Sequence, residues 1–99
     1  MAKKSFKTAN GTSFHDTTIN TTVRKLTEVL GKAQYIDNTG RDKVNFDWNC
    51  ETEDGEIFTI YDWKEYRKLN KDEVIEFHIG GHSRTVTEKA LRELISLGL

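Results

Sequence analysis

Lys43-Val44-Asn45-Phe46-Asp47-Trp48-Asn49-Cys50-Glu51-Thr52-Glu53-Asp54-Gly55-Glu56-Ile57-Phe58-Thr59-Ile60-Tyr61 is the stretch on which the fold turns. Val44, Phe46, Trp48 and Cys50 alternate with Asn45, Asp47, Asn49 and Glu51, the period of a strand with one face buried. Glu53-Asp54-Gly55 then suits a type I turn closed by a glycine in the left-handed region, a three-residue hairpin connection. That connection sets Cys50 beside Phe58 and Trp48 beside Ile60, facing a core, with Thr59 and Tyr61 on the other face beside Asn49 and Asp47. A two-residue Asp-Gly turn would put Phe58 and Ile60 opposite polar residues. A slip of one residue flips every side chain, so the hydrophobic pattern selects the three-residue turn.

Working outward, Glu73–Ile79 alternates in the same way. Ile75, Phe77 and Ile79 are expected to face inward and Val74, Glu76 and His78 outward, after which Gly80-Gly81 is expected to break the strand. Thr85 and Glu88 have capping-box spacing. They precede an apolar stripe of Val86, Ala90, Leu94 and Leu97, widened by Leu91 and Ile95, which predicts a helix near 86–97. On the other side, Ala33–Ile36 is a short strand candidate followed by a turn at Asn38-Thr39-Gly40. Val23, Leu26 and Leu30 form one stripe of a helix over 20–30, capped by Asn20 or Thr21 and ended by Gly31. Asp62–Asn70 reads as a polar loop carrying Trp63 and Tyr66. Residues 1–12 read as a flexible or loosely paired leader. Within it Asn10-Gly11 is a type I′ turn signal for a hairpin of Phe6–Ala9 with Thr12–Phe14. The expected domain is 13–99. It is an α+β fold, an antiparallel sheet of three to four strands with two helices on one face, in the order helix, strands, helix. Its core is expected around Leu26, Leu30, Phe46, Trp48, Phe58, Ile60, Ile75, Phe77, Leu91 and Leu94.

Composition narrows the functional classes. With 99 residues the chain is one domain long, and 35% hydrophobic against 31% charged residues suits a core beneath a sheet with one solvated face. Fifteen basic and 16 acidic residues leave a net charge of −1, without the positive field that a non-specific duplex nucleic-acid binder needs. Lys3, Lys4 and Lys7 make only a local basic leader. Cys50 is the single cysteine, so no internal disulfide is expected, and a cytoplasmic location is the expectation. No apolar run reaches the ~20 residues of a membrane span. Homo-oligomerisation is left open.

The segment His78-Ile79-Gly80-Gly81-His82-Ser83-Arg84-Thr85 joins a strand to a helix start. Helix N-terminal amides are unpaired and carry a partial positive charge, and glycines allow close approach to the backbone. Ser83 adds a hydroxyl and Arg84 a guanidinium fork, so Gly80, Gly81, His82, Ser83 and Arg84 are candidate ligands for a phosphate or carboxylate. The plainer alternative is that the glycines only turn the chain and Thr85 caps the helix. Tyr61 and Trp63, in Thr59-Ile60-Tyr61-Asp62-Trp63-Lys64, suit stacking on a base or anchoring a protein partner. Asp47, Glu51, Asp62 and Glu76 are expected on the open face as solvated carboxylates. His15, His78 and His82 lack metal-ligand spacing, and Cys50 is expected to be a buried, inert thiol. No metal, cofactor or catalytic residue is expected.

The pattern Gly11-Thr12-Ser13-Phe14, then Val29-Leu30-Gly31, Thr59-Ile60-Tyr61-Asp62-Trp63-Lys64 and Phe77-His78-Ile79-Gly80-Gly81-His82-Ser83 resembles a group of small bacteriophage-encoded accessory proteins. It departs from them at His15-Asp16, where the group has a Gln-Gly-like pair. The resemblance implies a compact α+β fold and a role exerted on host machinery or defences, and carries over no catalytic residue. The functional expectation is a binding protein rather than an enzyme. It would either sequester a phosphorylated small molecule such as a nucleotide or occlude a host or defence protein. The enzymatic alternative is a small hydrolase using His78 or His82. Truncating Phe77, expected at the centre of the core, should cost about 3–5 kcal/mol in a urea melt of Phe77→Ala; a loss below about 1 kcal/mol would put Phe77 outside the core.

Overall fold

A computed structural model describes all residues, Met1–Leu99. Six strands and two helices follow in the order β1 (Lys3–Lys4), β2 (Ser13–Thr21), α1 (Val23–Leu30), β3 (Tyr35–Ile36), β4 (Phe46–Glu51), β5 (Ile57–Tyr61), β6 (Ile75–Gly81) and α2 (Arg84–Ser96). The fold is α+β, and every strand pairing is antiparallel. The sheet runs β1-β4-β5-β6-β2, with β3 also paired to β4. Six strands replace the expected three to four, and two of them precede the first helix.

The decisive hairpin has the expected register. Trp48 lies opposite Ile60, Cys50 opposite Phe58, and Asp47 and Asn49 opposite Tyr61 and Thr59. The turn closes through Gly55 N–H to Thr52 O and Thr52 N–H to Glu56 O, both 2.9 Å, with Gly55 at φ 82°. Trp48, Phe58, Ile60, Phe77 and Ile79 are completely buried on one face, where the Trp48 and Phe77 rings meet edge to face at 6.1 Å. Both helices cover that face. Val23, Leu26 and Leu30 of α1 and Ala90 and Leu94 of α2 join the same hydrophobic cluster as the strands. The Trp48 indole N–H donates to Gly31 O at 2.9 Å, tying β4 to the end of α1. Leu91 lies at the edge of this cluster, only partly buried.

Several local expectations are corrected. The strand expected to end at Phe14 runs on as the nine-residue β2 through Asn20 and Thr21, so α1 is capped by Thr22, which accepts from Lys25 N–H at 3.1 Å, rather than by Asn20 or Thr21. The Asn10-Gly11 turn exists, closed by Thr12 N–H to Ala9 O at 3.1 Å. Only Gly11 within it has positive φ, which is a type II rather than a type I′ pattern. Its flanks do not pair with each other, because Ser13 and Phe14 pair with β6 while Lys3 and Lys4 pair with β4. Ala2 and Ser5 beside β1 are buried. The Gly80-Gly81 pair does not break a strand, since β6 continues through both. α2 starts at Arg84, capped by Ser83 rather than Thr85.

Val44 also departs from the alternation, leaving the core side to border a cleft on the opposite face. Asp62 is the reason. This completely buried carboxylate follows β5 directly and accepts from Asn45 N–H at 2.9 and 3.1 Å, Phe46 N–H at 2.8 Å and Asn45 Nδ2 at 2.9 Å. Two successive amides aimed at one carboxylate interrupt the pleat before β4 begins. Hydrogen bonds to a charged acceptor contribute about 1.5–3 kcal/mol each, and buried donors left unpaired cost more than solvated ones. Asp62→Ala should therefore cost at least about 3 kcal/mol in chemical denaturation; a change within about 0.5 kcal/mol would show that the network is not needed.

Candidate functional site

The face of the sheet away from the helices carries an aromatic array. Strand alternation places Asp47, Tyr61 and His78 in a row across β4, β5 and β6, since Tyr61 pairs with both Asp47 and His78. Phe14 of β2 stacks on the His78 ring at 4.0 Å between centroids. Tyr61 meets His78 at 5.5 Å and Trp63 at 6.1 Å, both edge to face, and Trp63 lies nearly parallel to His78 at 6.2 Å. Burial lowers the His78 pKa, opposed by the Glu76 carboxylate, so the ring is neutral at pH 7 and packs as an aromatic.

Two grooves meet here. One, of about 260 Å³, is bordered by Ala9, Thr12 and Ser13 on one side and by Thr59, Tyr61, Trp63 and Gly80 on the other. The second, of about 350 Å³, lies between Tyr35, Asp42, Lys43 and Trp63. They share Val44, Asp47 and Trp63. The Nζ atoms of Lys43 and Lys64 stand 5.8 and 5.6 Å from the centre of the Trp63 ring.

Gly80 and Gly81 serve opposite faces of the same strand. A side chain on Gly80 would begin 2.6 Å from Thr59 Oγ1, at the bottom of the first groove. A side chain on Gly81 would begin 2.9 Å from Thr87 Cγ2, where α2 lies against the sheet. Neither glycine has the positive φ that only glycine adopts freely; both are needed for close approach.

The segment 62–67 holds Trp63 in place. Lys64 and Tyr66 adopt φ of 55° and 50°, in the left-handed region. Each such residue costs of order 1–3 kcal/mol and persists only where its surroundings over-determine it. Here Lys64 N–H donates to Lys43 O at 2.8 Å, Asn45 Nδ2 donates to Arg67 O at 3.1 Å, and Arg67 forms a two-pronged pair with Glu73. Trp63 is thereby presented rather than folded into the core, with 39% of its surface exposed.

The seven residues expected to bind ligand separate into two groups. Tyr61, Trp63 and Gly80 border one cleft. His82 lies against the Gly11 turn. Gly81 is covered by α2, the Ser83 hydroxyl accepts from Val86 N–H at 3.3 Å, and Arg84 pairs with Glu88 at 2.9 Å. Asp47 and Lys43 also line the grooves, His78 and Lys64 stand beside the Trp63 ring and Phe14 stacks on His78; all five lie outside the seven expected. The hairpin register together with the β6 alternation would have brought out Asp47 and His78. Phe14 had no comparable signal.

Asp47 is not a solvated carboxylate. Its Oδ1 is buried without a hydrogen-bond partner. Burial, reinforced by the nearby Asp62 charge, raises its pKa to about 6. A carboxyl whose folded pKa exceeds its unfolded value binds protons more tightly when folded, so stability is highest at low pH and falls as pH rises between about 4 and 6. Asp47→Asn should therefore raise the melting temperature at pH 7.5, with the gain disappearing near pH 4; a variant less stable than wild type at pH 7.5 would contradict this. Comparison of the chain with protein-family models, curated proteins and solved structures returned no match.

Proposed function

We propose that the protein is an accessory binding module of the phage type that sequesters a phosphorylated small molecule, a nucleotide, on the open face of its sheet. The observation that carries this reading is the aromatic array of Tyr61, Trp63, His78 and Phe14 on one face of the sheet, with Tyr61 and Trp63 lining a cleft and Lys43 and Lys64 beside the Trp63 ring. Aromatic faces stack on any base, at about 1–3 kcal/mol per base. Ammonium groups suit a phosphate as point charges. The phosphate belongs with these lysines rather than at the start of α2, because the Ser83 hydroxyl and the Arg84 fork already have partners. The tethered 62–67 segment keeps the site preorganised, which lowers the ordering cost of binding.

A second reading, occlusion of a host or defence protein through the same face, draws on Tyr35, Ile36, Trp63 and Tyr66, all substantially exposed. Exposed aromatics are enriched among interface anchors. The hydrolase alternative would need His78 or His82 to act as acid or base; the stacking of Phe14 on His78 instead favours a role in binding.

Titration with mono-, di- and cyclic nucleotides tests the proposal. Trp48 is completely buried, so a ligand-induced change in tryptophan emission should come from Trp63. Trp63→Ala should weaken binding roughly tenfold or more without unfolding the protein. If millimolar nucleotide leaves the amides of residues 59–64 and 78–80 unshifted, the proposal fails. Nucleotide turnover lost in His78→Ala or His82→Ala would instead bring the hydrolase forward.

A further inference from the structure

Asp47 stands where the two grooves meet, among Val44, Tyr61 and Trp63. A buried acceptor without a partner is costly in the free protein, because folding removes its water and supplies no donor. An ionised carboxylate only accepts hydrogen bonds. An occupant that brings donors beside Asp47 would therefore supply what the fold does not. The terminal torsion of an Asp side chain is broad, so the group turns readily to present either oxygen or both.

Two kinds of occupant would bring paired N–H donors. One is a guanidinium or other organic cation, held between the carboxylate and the aromatic rings. The other is a neutral heterocycle with two adjacent donors on one edge. The lysines decide between them. Lys43 and Lys64 already stand within 6 Å of the Trp63 ring centre, so a further cation there meets two like charges. A neutral edge on Asp47 with an anionic tail toward the lysines satisfies both ends of the cleft.

Resting on the nucleotide reading above, we infer that the cleft selects guanine nucleotides, with Asp47 accepting from the adjacent N1–H and N2 amino donors of the base. Among the common bases only guanine offers two adjacent donors on that edge. Adenine and cytosine offer an amino group beside an acceptor nitrogen that would face the carboxylate. Uracil flanks its one N–H with carbonyl oxygens. The base stacks on the Trp63 ring, to which Tyr61 stands edge to face, and Lys43 and Lys64 meet the phosphate. Asp47 is a specificity determinant in this arrangement, and the cost of its unpaired oxygen in the free protein is relieved on binding.

The test is calorimetric titration of the full chain at pH 7.5 with GMP, IMP, AMP and agmatine, a guanidinium without a phosphate. At this pH Asp47, with its pKa near 6, is ionised. GMP should bind roughly ten- to a hundred-fold more tightly than AMP, with IMP, which lacks the N2 amino group, in between. Asp47→Asn should remove most of the preference for GMP over AMP, weakening GMP binding and not weakening that of AMP, since the amide can donate to the adenine acceptor nitrogen. This variant removes the buried charge, so it should stay folded, as its melting curve would verify. Equal affinities for GMP and AMP would overturn the inference and leave the nucleotide reading standing. Binding of agmatine in preference to GMP would overturn the inference, and the absence of binding by any nucleotide would overturn both.

Discussion

The buried carboxylate of Asp62 is the constraint on which the rest of the open face depends. It immobilises two consecutive backbone amides and the side chain of Asn45 at the point where the chain enters β4. A sheet ladder satisfies amides on alternate sides, so two adjacent amides directed at one group require a break in the pleat. That break takes Val44 out of the core and turns it into a wall of the cleft. The same group anchors the chain just after β5, so that the next residue, Trp63, begins from a fixed point. Its charge also acts on Asp47, adding to the burial that raises the Asp47 pKa. One structural carboxylate thus positions the aromatic wall of the cleft and perturbs the acid beside it.

Much of the fold was legible because its central hairpin and β6 obey strict alternation, with large apolar residues on one side. The register followed from the hydrophobic pattern alone, and so did the shared face of Trp48 and Phe77. β2 was not legible. Its outward and inward positions are both largely Ser, Thr, Asp and Asn, with Ile19 the only aliphatic residue, and a register shift between Phe14 and Thr17 breaks its period. Thr17 and Thr21 are buried although polar. Thr17 is satisfied by a 2.7 Å hydroxyl contact with Thr87, a long-range partner that no local pattern announces. In the site, Tyr61, Trp63 and Gly80 could be singled out from residue type. A glycine pair before a helix looks like a loop when its strand partners on both sides are unknown, so the continuation of β6 through Gly80 and Gly81 was not legible.

The outer edge of β4 shows how an interrupted strand can still be closed. β1 covers its later half and β3 its earlier half, leaving Asn49 between them. The Gln34 side chain fills the gap. Its amide nitrogen donates to Asn49 O at 2.9 Å and Ser5 O at 3.1 Å, and its oxygen accepts from Asn49 N–H at 3.0 Å. A side-chain amide here repeats the donor and acceptor of a peptide unit, so an edge that would otherwise offer unpaired groups to another chain is blunted.

Consecutive glycines in β6 bind the evolution of the cleft to that of the core. Gly80 leaves room on the cleft side and Gly81 on the helix side, one residue apart on a single backbone. An insertion of one residue upstream in β6 would bring Ile79 to the position of Gly80 and fill the cleft, and a deletion would bring His82 to the position of Gly81, against α2.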